Sequence, residues 1–233
     1  MKIADPVYIS GAPVYKYEMH LHTGEAGSCA RVSAKDAVDA YYRAGYSGIC
    51  VTNHLSHGHM AMFGRTSWAD SVESWLSGYN NARSHSVRYD DFNVILGAEL
   101  NLRDTIQDFL LYGITKEILS ANPQILDFDL KELFIFAEQN DILVIQAHPF
   151  RGDVLADVGL IHGIEVFNGN IRHNSKNEMA LETARDHSLI MVSGSDYHRE
   201  EDLATSGMYS FSPVRNEAGL VSALRDHSMF VMH

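Results

Sequence analysis

The stretch Tyr17-Glu18-Met19-His20-Leu21-His22-Thr23 places two histidines one residue apart in an otherwise largely apolar segment. Alternate side chains of an extended strand share a face, so we predict that His20 and His22 point the same way. Two neighbouring imidazoles at a strand end form half of a site for a divalent cation, and Glu25 on the following loop adds a possible oxygen donor. Alternating histidines also occur on solvated strands, so the rest of the chain must decide between the two interpretations.

The composition is that of a soluble globular protein, with 45% hydrophobic and 21% charged residues among 233. No segment approaches the ~20 apolar residues that a membrane span needs. Residues 1–13 contain no apolar segment of the signal-peptide type, so we expect a cytoplasmic protein with no membrane partner. The two cysteines, Cys29 and Cys50, form no CxxC pair, and we expect reduced, partly buried thiols.

The formal net charge of −12 disfavours binding to nucleic acid backbones and to anionic membranes. A local basic or metal-lined groove stays compatible with this charge, and bound cations would offset part of the acidic excess. Thirteen histidines are many for this length, and their positions carry more information than their number.

Short apolar segments alternate with amphipathic ones along the whole chain. The predicted strands after the first are 48–52, 93–98, 108–114, 142–147, 163–167, 189–194 and 229–232. The predicted helices run from Ser33 to Gly45, from about 68 to 83, from Asp129 onward, from 176 to 187 and from 217 to 226. Strands that are apolar throughout are typical of a parallel sheet covered by helices. About seven such units, without a Gly-rich phosphate turn or a linker, predict one domain over residues 1–233: an α/β barrel of TIM type, with some distortion.

Residues with metal-binding chemistry recur at the carboxyl ends of these predicted strands. They are His20, His22, His54, Glu99, His148, Asp196 and His198. In a βα-barrel every such end opens onto one face, where active sites are built. The joint pattern therefore predicts a metal site and favours it over solvated histidines.

Five segments, in this order along the chain, resemble the successive motifs of the PHP family, named after polymerases and histidinol phosphatases. They are His20-Leu21-His22-Thr23, Val51-Thr52-Asn53-His54, Leu96-Gly97-Ala98-Glu99, Gln146-Ala147-His148-Pro149-Phe150 and Gly194-Ser195-Asp196-Tyr197-His198. The resemblance extends from Glu18 to the carboxyl terminus. It implies a distorted, TIM-like (β/α)7 barrel with two or three divalent Zn, Mn or Fe ions that hydrolyses phosphoesters.

The resemblance also implies three ligand sets, two of which share a bridging carboxylate. The first ion would be held by His20, His22, Glu99 and Asp196, the second by Glu99 and His148, and the third by Glu25, His54 and His198. Imidazoles and carboxylates together suit Zn, Mn and Fe, and a bridging carboxylate holds two cations close together.

Two positions depart from the family pattern. Asn53 stands where the family usually has aspartate, and we expect this residue to tune the site from outside the ligand shell. The strand Asp108–Ile114 lacks the histidine that many members place there. Asp108 could substitute for it, or the second ion could keep more water, so both a two-ion and a three-ion centre stay open.

Several cationic residues near the predicted strand ends have two interpretations each. Arg151 follows the His148-Pro149 turn, where its planar guanidinium suits a phosphate, although an ordinary surface arginine is an equally open interpretation. His57 and His59 follow His54 on a loop, and we expect solvated side chains there, with substrate contact as the alternative.

The expected function is hydrolysis of a small phosphomonoester by a metal-activated water, with Glu99, Asp196 and Arg151 as catalytic residues. A small chain without a polymerase domain or a basic groove disfavours a polynucleotide substrate, whereas a mononucleotide or a short oligonucleotide stays open. Two alternatives remain: a metal-dependent amidohydrolase or deaminase on a similar barrel, and a non-catalytic metal-binding module.

Overall fold

A computed structural model describes residues 7–9, 12–64 and 67–232, with side chains from Val14 onward. Residues 1–6, on which much of the expectation about a leader segment rests, lie outside the described residues. Among the helices in the described ranges, none has the length and apolar character that a bilayer span requires.

The described ranges contain eleven strands and eight α-helices. The strands are β1 (Val7–Ile9), β2 (Ala12–Leu21), β3 (Gly48–Val51), β4 (His54–Leu55), β5 (Asn93–Asn101), β6 (Asp108–Tyr112), β7 (Leu143–Gln146), β8 (Gly163–Asn168), β9 (Ile190–Gly194), β10 (Gly207–Ser210) and β11 (Met229–Met232). The helices are α1 (Ala34–Arg43), α2 (His57–Ala61), α3 (Trp68–Trp75), α4 (Ser77–Ser86), α5 (Lys116–Ala121), α6 (Leu130–Gln139), α7 (Asn177–Asp186) and α8 (Glu217–Arg225).

Most of the predicted elements are confirmed, and local capping explains where two of the helices begin. Ser33 accepts a hydrogen bond from the Asp36 backbone N–H at the start of α1, and Asp129 forms a capping box with Glu132 at the start of α6. The predicted helix over 68–83 is instead two helices, α3 and α4. Strand β10 and helix α5 were not predicted, because neither has a clear apolar period.

The sheet is mixed, which corrects the prediction that all strands are parallel. Its order is β11-β10-β2-β3-β5-β6-β7-β8-β9, with β1 beside β2 and β4 beside β5. The set β2, β3 and β5 is parallel, as is the set β7, β8 and β9, but β6 is antiparallel to both of its neighbours. The connection between β5 and β6, residues 102–107, is too short for the crossover that a parallel pair requires.

Although β6 runs in the opposite direction, it places a polar residue at the rim formed by the carboxyl ends of the parallel strands. Asp108 begins β6 and pairs with Asn101, the last residue of β5. Asp108 therefore lies at the same end of the sheet as Glu99, although it stands at the start of its strand and not at its end.

The sheet closes into a nearly complete barrel where the end of β2 meets the segment after β9. The Tyr197 N–H donates to the His20 carbonyl at 3.0 Å, and the His22 N–H donates to the Tyr197 carbonyl at 2.9 Å. Gly194 permits this approach, because a Cβ at that position would lie 2.5 Å from the His20 Cβ. The predicted α/β, TIM-like barrel is confirmed, with its distortion at β6 and at the antiparallel strands β10 and β11.

The strands bury both of their faces, as their apolar composition predicts. One face packs against the surrounding helices, with Ile49, Val94 and Val144 among the buried residues. The other face contributes a second cluster, in which Leu110 and Ile145 are members together with residues of α8. Each fully buried aliphatic side chain contributes about 1.5–3 kcal/mol to stability, so the two layers hold the strand ends in place.

Candidate metal centre

The two histidines of the opening stretch lie together at the end of β2. His20 and His22 are both buried, with ring centroids 5.1 Å apart. One nitrogen from each and an oxygen of Asp196 lie within 4.8 Å of one another. The strand geometry that the sequence implied therefore produces a three-donor group of the kind that holds a cation.

Glu99, at the end of β5, lies between four imidazoles. Its Oε1 is 3.2 Å from His20 Nε2 and 3.0 Å from His148 Nε2. Its Oε2 is 3.3 Å from His22 Nε2 and 2.8 Å from His54 Nδ1. A carboxylate with each oxygen facing a different pair of nitrogens has the arrangement of a bridging ligand.

Asp196 and His198 reach the same centre from the segment after β9. Asp196 Oδ1 is 3.6 Å from Nε2 of both His20 and His22. The His198 Nδ1 is 2.9 Å from the Asp196 backbone carbonyl, which can only accept, so Nδ1 carries a proton and Nε2 is the nitrogen that would bind an ion. His22, His54 and His198 form a second group of three donors within 4.8 Å.

Several buried polar atoms of this centre lie close to other nitrogens or oxygens but make no well-aligned hydrogen bond within the described residues. They are His20 Nε2, both ring nitrogens of His22, Glu99 Oε2 and Arg151 Nε. A buried polar atom without a partner costs about 1–3 kcal/mol, so such atoms are rare without a functional reason. Nitrogen and oxygen donors that converge in this way fit a divalent transition metal.

The charges of the centre shift the pKa values of its members strongly. Burial favours neutral imidazole, but the carboxylates of Glu99, Glu165 and Asp196 outweigh it and raise the pKa of His20 well above its usual value. Burial alone would raise the pKa of Glu99, yet the neighbouring His20 and His54 hold that pKa well below its usual range. The carboxylates of the centre and its imidazoles thus stabilise each other's charged forms.

Glu165 supports the centre from inside β8 and was not predicted. Its Oε1 accepts from His20 Nδ1 at 3.0 Å, and its Oε2 accepts from the His148 N–H at 3.0 Å and from Asn168 Nδ2 at 2.9 Å. Because Nδ1 donates to Glu165, Nε2 is the nitrogen of His20 that faces the centre and would bind an ion. The only sequence signal was one charged residue within an otherwise apolar strand.

Two of the ligand candidates have a left-handed backbone. His148 has a φ of 29° and Asp196 a φ of 50°. Such conformations cost of order 1–3 kcal/mol in residues other than glycine, and they persist where surrounding contacts impose them, frequently at functional sites.

Glu25, predicted as a ligand together with His54 and His198, contacts the start of helix α1 in the structure. Both oxygens of its carboxylate accept from the Ala34 N–H, at 3.1 and 3.0 Å, and Asn81 Nδ2 lies 3.3 Å from Oε1. Ala34 is the first residue of α1, so the carboxylate stabilises the positive end of that helix. Glu25 belongs to none of the donor groups found among the described residues.

Cys29 lies beside these histidines instead, which the sequence did not predict. Its thiol, with His54 and His59, forms another three-donor group within 4.8 Å, and the residue is exposed, whereas Cys50 is buried. Burial alone would raise the pKa of the Cys29 thiol, but hydrogen bonds from His198, His54 and His59 lower it to about 4. No spacing pattern identified this cysteine, because its partners come from distant segments.

The two departures from the family pattern have different surroundings. Asn53 is buried and anchors the loop after His22, since its Oδ1 accepts from the Thr23 N–H at 2.8 Å. Asp108 lines the same cavity as Glu99 but belongs to none of the three-donor groups of the described chain. Burial, and next the charge of Glu99, raise the pKa of Asp108.

A cavity of about 230 Å³ opens above the centre, and cationic side chains line one side of it. They are Arg151, Arg172 and Arg199; His173 also lines the cavity, but burial and next the charge of Arg151 lower its pKa. Arg151 reaches the rim, as predicted, and its Nη2 donates to Asp196 Oδ2 at 2.7 Å and to Asn168 Oδ1 at 3.0 Å. Arg172 is paired with the buried Asp202. The predicted loop residue His57 points away from the cavity and contacts Asp127 at 3.1 Å.

Solved structures share this fold at low sequence identity. A two-domain protein from Bacteroides vulgatus, which contains a predicted PHP-like metal-dependent phosphoesterase, matches with a TM-score of 0.69 and 19% identity over 99% of this chain and 67% of its own. The lesion-specific endonuclease EndoQ from Pyrococcus furiosus matches with a TM-score of 0.62 and 13% identity over 94% of this chain and 57% of its own.

An amidohydrolase from Chromobacterium violaceum, solved with bound sulfate and no metal, has a TM-score of 0.56 and 14% identity over 92% of this chain and 97% of its own. No protein-family model matches the sequence, and no curated protein matches it. At identities below 25% these likenesses establish the fold alone, and they leave the reaction to be argued from the site.

Proposed function

We propose that this protein is a metal-dependent phosphoesterase that hydrolyses a small phosphomonoester with a metal-activated water. One observation carries the proposal: unpartnered nitrogens of His20 and His22 and an oxygen of Glu99 converge, buried, beneath a cavity lined by Arg151. The donors suit divalent ions, which would activate a water molecule. The arginine suits the phosphate group of the substrate.

Five residues would hold the catalytic ions. They are His20, His22, Glu99, Asp196 and His148, with Glu99 as the bridge. Divalent Zn, Mn or Fe at such a centre supplies Lewis-acid charge and lowers the pKa of water to near neutrality. Glu165 keeps His20 in the tautomer that can donate to the ion, and it orients the backbone of His148.

The cationic side of the cavity would bind the phosphoryl group. Arg151 lines the cavity and is held there by Asp196 and Asn168, so its positive charge has a fixed position beside the ligand candidates. The charge that develops on the phosphoryl oxygens in the transition state is stabilised by such a fixed cation. A cavity of about 230 Å³ favours a small phosphomonoester or a mononucleotide over a polynucleotide.

Amide or amidine hydrolysis is the second candidate, because an amidohydrolase is among the structures with this fold. The arginine-lined cavity of the present chain favours the phosphoester.

The deciding experiment measures metal content and activity in the same preparations. We expect two to three ions per chain after reconstitution with Mn, Zn or Fe, and phosphate release from at least one member of a panel of phosphomonoesters. The panel also contains phosphodiesters, short oligonucleotides, amides and aminated nucleobases. Fewer than one ion per chain, or ammonia release without phosphate release, would overturn the proposal.

A further inference from the structure

Cys29, His54 and His59 form a donor group at the outer rim of the cavity that differs in chemistry from the buried centre. One donor atom from each residue lies within 4.8 Å of the other two. The buried centre offers nitrogen and oxygen donors, whereas this group offers one sulphur and two nitrogens. Soft thiolate donors select Zn or Cu(I), and carboxylate-rich sites accept Mn as well.

Three separate segments bring these residues together. Cys29 lies on the loop between β2 and α1, His54 begins β4, and His59 lies in the short helix α2. The loop packs closely on α2, since a Cβ at Gly27 would lie 3.5 Å from His59 Cδ2 and 3.7 Å from Cys29 Sγ. The side chains of His59 and Cys29 therefore both lie beside Gly27.

Hydrogen bonds leave a donor atom of His59 available. Its Nδ1 lies 2.9 Å from the Ser56 hydroxyl, which fixes the ring and leaves Nε2 for a ligand. The His54 ring, 4.8 Å from that of His59, belongs both to this group and to the group with His22 and His198. The rim group is thus contiguous with the buried centre.

We propose that Cys29, His54 and His59 bind a zinc ion through one thiolate and two imidazoles, in place of the predicted ion on Glu25, His54 and His198. Three protein donors leave the fourth tetrahedral position open. Cys29, His54 and His198 all line the cavity, so a fourth ligand would come from the cavity. The site goes beyond the proposed hydrolysis and does not depend on it.

Cobalt substitution tests the site without reference to activity. Co(II) bound to a thiolate gives a sulphur-to-metal charge-transfer band in the near ultraviolet, which nitrogen and oxygen ligands do not give. We expect this band in the wild type and in Cys50→Ala, and its loss in Cys29→Ser. Cys50 is the matched control, because it is buried in the core and absent from the rim group. A band that persists in Cys29→Ser would overturn the proposal.

Zinc counting with two histidine variants provides the second measurement. His59→Ala should lose about one zinc ion per chain, whereas His57→Ala should lose none. His57 stands on the same helix but contacts Asp127 on the surface. Alkylation gives the readout if His59→Ala folds poorly: zinc should protect Cys29 of the wild type from iodoacetamide, and Mn should not. Equal zinc content in both variants, or equal protection by both metals, would contradict the site.

Discussion

His20 Nδ1 donates to Glu165 Oε1 at 3.0 Å, and both side chains are completely buried. This hydrogen bond joins β2 to β8 across the barrel and decides which nitrogen of His20 faces Glu99. A carboxylate behind a ligating histidine fixes its tautomer and raises its basicity. Because Glu165 also holds the backbone of His148, one buried carboxylate orients ligand candidates for two ions.

Glu165→Gln should weaken metal binding by roughly 10- to 100-fold. The amide can still accept from His20 through its oxygen, but its NH2 group cannot accept from the His148 N–H. Competition with a chelator measures the dissociation constant of the ion. Glu178→Gln, an exposed position on α7, serves as the control and should bind metal like the wild type. Equal affinity in the two variants would show that Glu165 has no orienting role.

Glu99→Gln should lower turnover by more than ~100-fold. This loss is larger than the loss expected for a residue that only hydrogen-bonds to a metal ligand. The substitution keeps the size of the side chain but removes the charge that faces four imidazoles. The fold should persist, because Glu99 stands at the rim of the barrel and outside both apolar clusters. Turnover, metal content and circular dichroism are measured together, and near wild-type turnover would exclude the bridging role.

Arg151→Lys separates phosphate binding from support of Asp196. A hydrogen bond to a charged group contributes about 1.5–3 kcal/mol, so loss of the guanidinium should weaken inhibition by inorganic phosphate by roughly 10- to 150-fold. Metal content should stay unchanged, because the ligand candidates are intact. The control is Arg103→Lys, an exposed arginine that pairs with Asp127. Loss of metal with unchanged phosphate inhibition would make Arg151 a support for Asp196 alone.

Glu18 predicts a pH dependence of stability. Burial raises the pKa of this carboxyl to about 7, although it accepts hydrogen bonds from the His20 and Ser195 N–H groups and from Tyr41. The folded state therefore holds a proton that the unfolded chain releases near pH 4.5, so stability falls as the pH rises from about 4.5 to about 7. Above that range this contribution is constant.

Urea unfolding of wild type and Glu18→Gln at several pH values, with the metals chelated, measures this contribution. Glutamine cannot ionise, so the difference in unfolding free energy should shift in favour of Glu18→Gln as the pH rises through the same window. A difference that is independent of pH would mean that Glu18 titrates normally in the folded protein.

Local sequence determined the elements and the chemistry of the centre. Apolar runs predicted the strands, a capping residue predicted the start of α1, and polar residues at strand ends predicted which side chains approach one another. These features depend on neighbours within a few residues, which explains why they can be deduced from a single chain. The strand-end rule brought His20, Glu99 and Asp196 together because parallel strands end on one face.

Only the tertiary structure decided which side chains beyond the strand ends take part. Glu25 follows His22 closely but is held by the N-terminus of α1, while Cys29 lies against His54 and His59 from other segments. Glu165 sits in mid-strand, where its role follows from the position of His20 across the barrel. Such contacts depend on how distant segments pack in three dimensions, and that packing is set by the whole core and not by the spacing of residues along the chain.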